Sequence, residues 1–174
     1  MEEVILVNEN DEVIGTMEKL LAHETASLHR AISVFIFNSK NELLLQQRAK
    51  HKYHSGGLWS NTACSHPRLN EDSIDAATRR LKEEMGMHTE LDFKFKFKYK
   101  SKMPNGLVEH EVDHIFFGVS DELPIVNPEE VEDYKYIKLE ILIDDASKHP
   151  ENYTSWFLKL LKRVSEEMPK SLNS

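Results

Sequence analysis

The stretch from Trp59 to Gly86 constrains this chain more than any other. In its second half Ile74, Ala77, Leu81 and Met85 recur at helical spacing, which predicts an amphipathic helix with that stripe turned inward. Asn70 or Asp72 is placed to cap the start, and Gly86 suits the left-handed position just past the end. Glu84 falls beside the apolar stripe, whereas Glu83 points further out. The first half carries the only cysteine, Cys64, two residues from His66 and fixed in direction by Pro67. A carboxylate at the edge of a core helix, close in sequence to a thiol and an imidazole, marks a candidate site.

The remaining segments supply a sheet for that helix to pack on. Val4–Val7 and Val13–Met17 flank Asn8-Glu9-Asn10-Asp11 and read as a hairpin. A short helix around 18–22, carrying Lys19 and ending near His23, is expected next. His29–Phe37 is rich in β-branched and aromatic residues, Ser39-Lys40-Asn41-Glu42 turns it, and Leu43–Arg48 returns as a second strand. Gly56-Gly57 permits an unusual backbone before Trp59. Phe93-Lys94-Phe95-Lys96-Phe97-Lys98-Tyr99 alternates strictly, which predicts a strand with an aromatic inner and a lysine outer face. Pro104-Asn105-Gly106 is a turn, Leu107–Val119 a long strand and Tyr134–Ile137 another. Ile141–Ser147 and Thr154–Met168 read as helices, the second with Trp156, Phe157, Leu160, Leu161, Val164 and Met168 inward. Mixed strands and helices around a mid-chain helix give an α+β layered fold.

Composition narrows the function. At 174 residues the chain is expected to be one domain, 1–174, with room for a substantial core. A formal net charge of −8 argues against nucleic acid or an anionic membrane as the main partner, although local basic residues can still bind a small anion. There is no apolar run long enough to span a bilayer, and Met1-Glu2-Glu3 does not open a signal peptide. One cysteine cannot form an internal disulfide, so a cytoplasmic location is expected. No internal repeat or low-complexity tract is visible.

Residue type alone leaves the candidate site open. Glu109 and Glu111 are two apart on a predicted strand, so both project from one face, roughly 7 Å apart. Asp113, Ile115 and Phe117 continue that face. Taken alone, the carboxylates read as a solvated strand end. Cys64 by itself reads as a small core hydrophobe, although the polar Ser60-Asn61-Thr62 beside it is poor company for packing. Trp156 fits a core position equally well. Three histidines, His23, His29 and His66, with the two glutamates would form a mixed N/O set for a divalent transition metal. Spacing does not bring the histidines together.

Two motifs add a resemblance. Ser65-x5-Glu71-x7-Arg79-Arg80-Leu81-Lys82-Glu83-Glu84-Met85-Gly86-Met87 resembles a Nudix box, with Ser65 in place of its opening glycine and Arg80 in place of a glutamate. Those departures, with Asn61-Thr62-Ala63-Cys64-Ser65-His66-Pro67, resemble the type I isopentenyl-diphosphate isomerases, over about 4–156. The resemblance implies an α/β/α sandwich with mixed sheets and a central Nudix-type helix. It also implies reversible isomerisation of isopentenyl to dimethylallyl diphosphate through a tertiary carbocation, in isoprenoid biosynthesis. It assigns Cys64 and Glu111 to the two proton transfers on opposite faces of the substrate, Tyr99 to the neighbourhood of the carboxylate, and Trp156 to the cation. His23, His29, His66, Glu109 and Glu111 become the ligands of one transition ion, Mn²⁺ or Zn²⁺. Glu84 helps hold Mg²⁺ on the diphosphate, and Lys19, Arg48, Lys52 and Arg80 clamp its oxygens. For the lysines, a solvated surface role competes with that assignment. A small-molecule isoprenoid diphosphate is the expected partner, and a monomer the expected state.

Two other classes stand beside this reading. A Nudix pyrophosphatase acting on a nucleoside diphosphate derivative needs a cluster of box carboxylates, and Arg80 removes one. A non-catalytic binding domain would leave Cys64, Glu111 and Tyr99 without a role.

Overall fold

A computed structural model describes residues 2–52 and 54–168. The expected single domain over 1–174 extends to Met1, Tyr53 and residues 169–174, which lie outside the described residues. Strand β3 (His29–Phe37) is the spine, and its residues 31–37 are all buried. Such a run has no polar alternation because both faces are covered. Phe35 and Phe37 enter one core, whereas Ile32, Val34 and Ile36 enter another on the opposite face. Helices α3 (Leu139–Lys148) and α4 (Ser155–Glu167) close the first core, and α2 (Ser73–Met85) closes the second. The result is the expected α/β/α layering.

Around β3 the sheet is mixed. Strand β8 (Val108–Val119) runs parallel to it over nine register pairs, from His29 opposite Glu111 to Phe37 opposite Val119. On its other edge β6 (Ala63–Ser65) pairs antiparallel and sets Cys64 opposite Ser33. Strand β7 (Asp92–Lys102) pairs antiparallel with β8 and sets Tyr99 opposite Glu111. Strands β1 (Glu3–Val7) and β2 (Val13–Glu18) form the first hairpin, and α1 (Lys19–Glu24) follows directly. The Glu18 side chain accepts from the amides of Leu20 and Leu21 and so caps α1, the helix that carries His23. Strands β4 (Glu42–Arg48), β5 (Trp59–Ser60) and β9 (Val131–Lys138) complete the sheet.

Three expectations need correcting. The alternation of β7 breaks at its start: Phe93 faces Phe116 but Phe95 faces Ile115, so two steps on β7 match one on β8. That extra residue is a β-bulge, and it turns Phe93 to the outer face, where it is 52% exposed and packs edge-on against Phe116 and His114. Ile74 is exposed; it shares the helix face by spacing but lies in the first turn, before the buried stretch of Ala76, Ala77, Leu81, Glu84 and Met85. Asp72 holds the N-cap backbone position without a side-chain bond, while Gly86 takes the left-handed conformation at φ +62. A Cβ on Gly86 would stand 2.4 Å from the carbonyl oxygen of Ile125, so glycine is required there twice over.

Candidate active site

Glu109, Glu111 and Asp113 are all buried, contrary to what their residue types suggest alone. They lie along the face of β8 that continues into Ile115 and Phe117 in the first core. Three buried carboxylates on one strand require partners, and the structure supplies them. His29 Nε2 lies 2.9 Å and His66 Nε2 2.8 Å from the same oxygen, Glu111 Oε2. The Tyr99 hydroxyl donates to Glu111 Oε1 and, at 3.1 Å, to Glu109 Oε2. Ser33 Oγ donates to Asp113 Oδ2 at 2.6 Å.

His23, on α1, completes the group. One ligand atom each from His23, His29, His66 and Glu111 lies within 4.8 Å of all the others. Bonds of about 2.1 Å to a transition ion place adjacent ligand atoms about 3 Å apart, so the two histidine–Glu111 separations already match neighbouring positions of one coordination sphere. The residues therefore fit a divalent metal. Glu109 does not join that group: its carboxylate lies between Tyr99 and His54, with His54 Nε2 3.4 Å from Glu109 Oε1.

Electrostatics divide the acidic groups. Burial would raise Glu111, but the hydrogen bonds and charge of His29 and His66 overcome it and hold the carboxyl well below its usual range. Glu109 goes the other way, raised by burial and by the charge of Glu111. Burial and Glu111 likewise raise Asp113. Burial lowers His23 to about 4 and His54 to about 3, so both are neutral imidazoles near pH 7. Burial, with the charges of Glu84 and Glu109, pushes the Cys64 thiol far up, and burial beside Glu111 does the same to Tyr99.

A cavity of about 560 Å³ collects these groups. Cys64, His66, Tyr99, Glu109, Glu111, His23 and Trp156 line it, with His29 fully buried behind. Lys19, Arg48, Lys52, Arg80 and Glu84 line it too, so the structure gathers all the residues singled out in the sequence around one space. Glu84, buried on α2, accepts from Gln46 at 2.8 Å and from Arg80 Nε at 3.2 Å. Burial raises it, against the pull of Arg80 and Gln46. Lys52 and Arg80 meet on Glu130, at 2.5 and 3.3 Å, and Lys19 pairs with Glu2 at 3.0 Å. Arg48 lies over the Trp156 ring at 5.1 Å, and its Nε is buried without a hydrogen-bond partner among the described residues. Its Nη2 donates to the His54 carbonyl at 3.4 Å, and the side chain lines the cavity, where its fixed positive charge suits an anionic ligand.

Sequence reasoning missed His54, Gln46 and Glu130. Each lies outside the Trp59–Gly86 stretch, and none has a spacing that points to the cavity. Gln46 alone carried a signal, as a polar residue whose neighbours Leu43, Leu44 and Leu45 are apolar.

Comparison with known proteins places this geometry. Residues 27–157 match the NUDIX domain family. Over 163 residues the chain is 53% identical to isopentenyl-diphosphate Delta-isomerase 2 of Aromatoleum aromaticum, covering 94% of this chain and 86% of that one. It is 49% identical over 164 residues to an isopentenyl-diphosphate Delta-isomerase of Pectobacterium atrosepticum, covering 94% and 92%. Among solved structures, a Deinococcus radiodurans protein superposes with a TM-score of 0.77 at 20% identity, covering 93% of this chain and 98% of that one, which speaks for the fold alone. A Nudix fold, a buried histidine–glutamate cluster facing a lone cysteine, and relatives of that similarity over nearly the full length lead to one assignment: the chain belongs to the Nudix superfamily and, within it, to the isopentenyl-diphosphate Delta-isomerases.

Proposed function

We infer that the chain interconverts isopentenyl and dimethylallyl diphosphate by moving one proton on and one proton off the carbon skeleton. The observation that carries this reading is the shared cavity, in which Cys64 and the Tyr99–Glu111 pair accompany Trp156 and the Arg48 guanidinium that lies over its ring. An unactivated alkene is a very weak base, so its protonation demands an acid held against it and a cation shielded from water. Cys64 keeps its proton and Glu111 lacks one, so the two groups rest in opposite states. They exchange the roles of donor and acceptor with the direction of reaction, as microscopic reversibility requires. Tyr99, held neutral, donates to Glu111 and is placed to relay a proton to it. The π face of Trp156 stabilises the tertiary cation by about 2 kcal/mol when desolvated.

Arg48, Lys52, Arg80 and Lys19 bind the diphosphate, with Glu130 and Glu2 holding three of these cations in place beforehand. His23, His29, His66 and Glu111, with Glu109 alongside, would hold a Mn²⁺ or Zn²⁺ ion, which would supply fixed positive charge beside the Glu111 carboxylate. Glu84 would help hold a Mg²⁺ ion brought by the substrate, which would neutralise charge on the diphosphate oxygens. The enzyme acts as a single domain and as a monomer in the cytoplasm, where a free thiol persists.

Proton NMR in deuterated water tests the reading. Isopentenyl diphosphate and Mg²⁺ should yield dimethylallyl diphosphate with deuterium in a methyl group, and no free phosphate. Phosphate release without carbon-bound deuterium would point to a pyrophosphatase instead, although Arg80 at a box glutamate position and the ion pairs that hold Glu83 to Arg79 and Arg80 speak against one.

A further inference from the structure

His54 lies in the connection between β4 and β5, where the backbone is tightly prescribed. A Cβ on Gly56 would stand 2.6 Å from the Lys50 carbonyl oxygen, and Gly57 takes φ +82. The amide of Gly57 donates to the Arg48 carbonyl at 2.9 Å, and the Arg48 amide to that of Leu58 at 2.8 Å. This closed loop puts the imidazole of His54 in the cavity wall, 6% exposed.

Its neighbours belong to three different parts of the candidate machinery. Nε2 stands 3.4 Å from Glu109 Oε1, on the side of that carboxylate that Tyr99 does not hold. The ring meets Trp156 nearly perpendicular, centroids 5.8 Å apart at 88°, and meets His23 at 5.8 Å and 82°. The backbone carbonyl accepts from Arg48 Nη2 at 3.4 Å. On the other flank Ser55 Oγ lies 3.2 Å from Nδ1; when that hydroxyl donates to Nδ1, Nε2 carries the hydrogen that faces Glu109.

We propose that His54 is a positioning residue that fixes the Glu109 carboxylate beside the metal cluster and the Trp156 ring beside the substrate at the same time. The proposal rests on the isomerase reading for what Trp156 faces. A carboxylate gripped at one oxygen can pivot about it, and the approach of His54 to the second oxygen removes that freedom. An indole gripped on one face by Arg48 can slide, and an edge-to-face contact on its flank stops it. Because one ring does both, displacing the 49–58 loop disturbs the metal centre and the aromatic wall together.

Two substitutions separate the two contacts. His54→Phe keeps a ring against Trp156 and removes the nitrogen facing Glu109, whereas His54→Gln keeps a polar donor and removes the ring. Zn²⁺ affinity, measured by chelator competition without substrate, should fall about tenfold in His54→Phe and stay near wild type in His54→Gln. Tryptophan emission, read in a Trp59→Phe background so that Trp156 reports alone, should shift in His54→Gln and hold in His54→Phe. In both, kcat should drop several-fold with KM little changed. Equal loss of melting temperature in the two variants, with zinc affinity and emission as in wild type, would reduce His54 to packing and overturn the proposal. An effect on only one of the two readouts would overturn the coupling. Zinc affinity and emission need no substrate, so failure of wild-type protein to incorporate deuterium would refute the isomerase reading without touching these results.

Discussion

The two groups proposed for proton transfer owe their resting states to different causes, and each cause can be removed singly. Cys64 keeps its proton because partial burial and the charges of Glu84 and Glu109 raise its thiol, and it is not among the residues of the candidate metal group. Cys64→Ala should therefore abolish deuterium incorporation while elemental analysis finds the transition ion undiminished. Cys64→Ser should be severely impaired as well, since a hydroxyl is far less acidic than a thiol. Full turnover in the alanine variant would remove the thiol from the reaction. Trp156 invites a different contrast. It is 3% exposed and packs in the first core, so any replacement costs stability. Trp156→Phe keeps a π face and should retain much of the activity, whereas Trp156→Leu should lose on the order of thirtyfold more, because desolvated cation–π contact is worth about 2 kcal/mol. Loss of rate in proportion to loss of melting temperature in both would leave the residue with packing alone.

Among elements, the β1–β2 hairpin shows how the outer face of the sheet is held. Its Asp11 accepts from Arg30 Nε at 2.9 Å and lies 2.7 Å from both Lys96 and His114, tying the hairpin to β3, β7 and β8. Burial opposes its charge, but those donors overcome it and keep the carboxyl below its ordinary value. A depressed carboxyl stabilises the fold above its unfolded value and loses that contribution as pH falls through the folded one. Asp11→Asn, which tolerates the left-handed backbone at φ +60, should cost on the order of 1–3 kcal/mol at pH 7 in urea unfolding. The gap to wild type should close as pH drops below about 3.8. An equal gap at pH 3 and pH 7 would refute the ionic account. At this scale the sequence was legible wherever periodicity and burial agreed. Strand β3 announced itself by its β-branched and aromatic residues, and α2 by its stripe and Gly86. The bulge at Phe93 left no trace, because alternation in sequence is blind to an extra residue that the partner strand alone reveals. Burial of Glu109 and Glu111 was equally hidden, since their partners come from α1, β3, β7 and the segment after β6. His54 needed the folded loop, for nothing near it in sequence distinguishes it from a surface histidine.

For the whole molecule, the candidate metal group joins four separate elements. His23 comes from α1, His29 from β3, His66 from just beyond β6 and Glu111 from β8. An ion bound there acts as a cross-link made only in the native state, and a ligand at a hundred times its dissociation constant adds about 2.7 kcal/mol. Stripping the metal with a strong chelator should lower the melting temperature by on the order of 5–10 °C, with recovery on adding back Mn²⁺ or Zn²⁺. His66→Ala should show the lowered value from the outset, with no response to the chelator. The parallel pairing of β3 with β8 has a consequence in time. His29 and Glu111 are 82 positions apart, and this pairing brings the carboxylate to the imidazole. During synthesis the histidines emerge well before Glu111, as a loose peptide with little power to choose among ions. The candidate ligand set is complete only when β8 pairs along β3, a contact whose loop-closure cost the packing of both strands in the core offsets. An ion binding there would meet a cage whose shape was decided beforehand, so fit would count beside the general affinity order of divalent ions in deciding which one a newly made chain keeps.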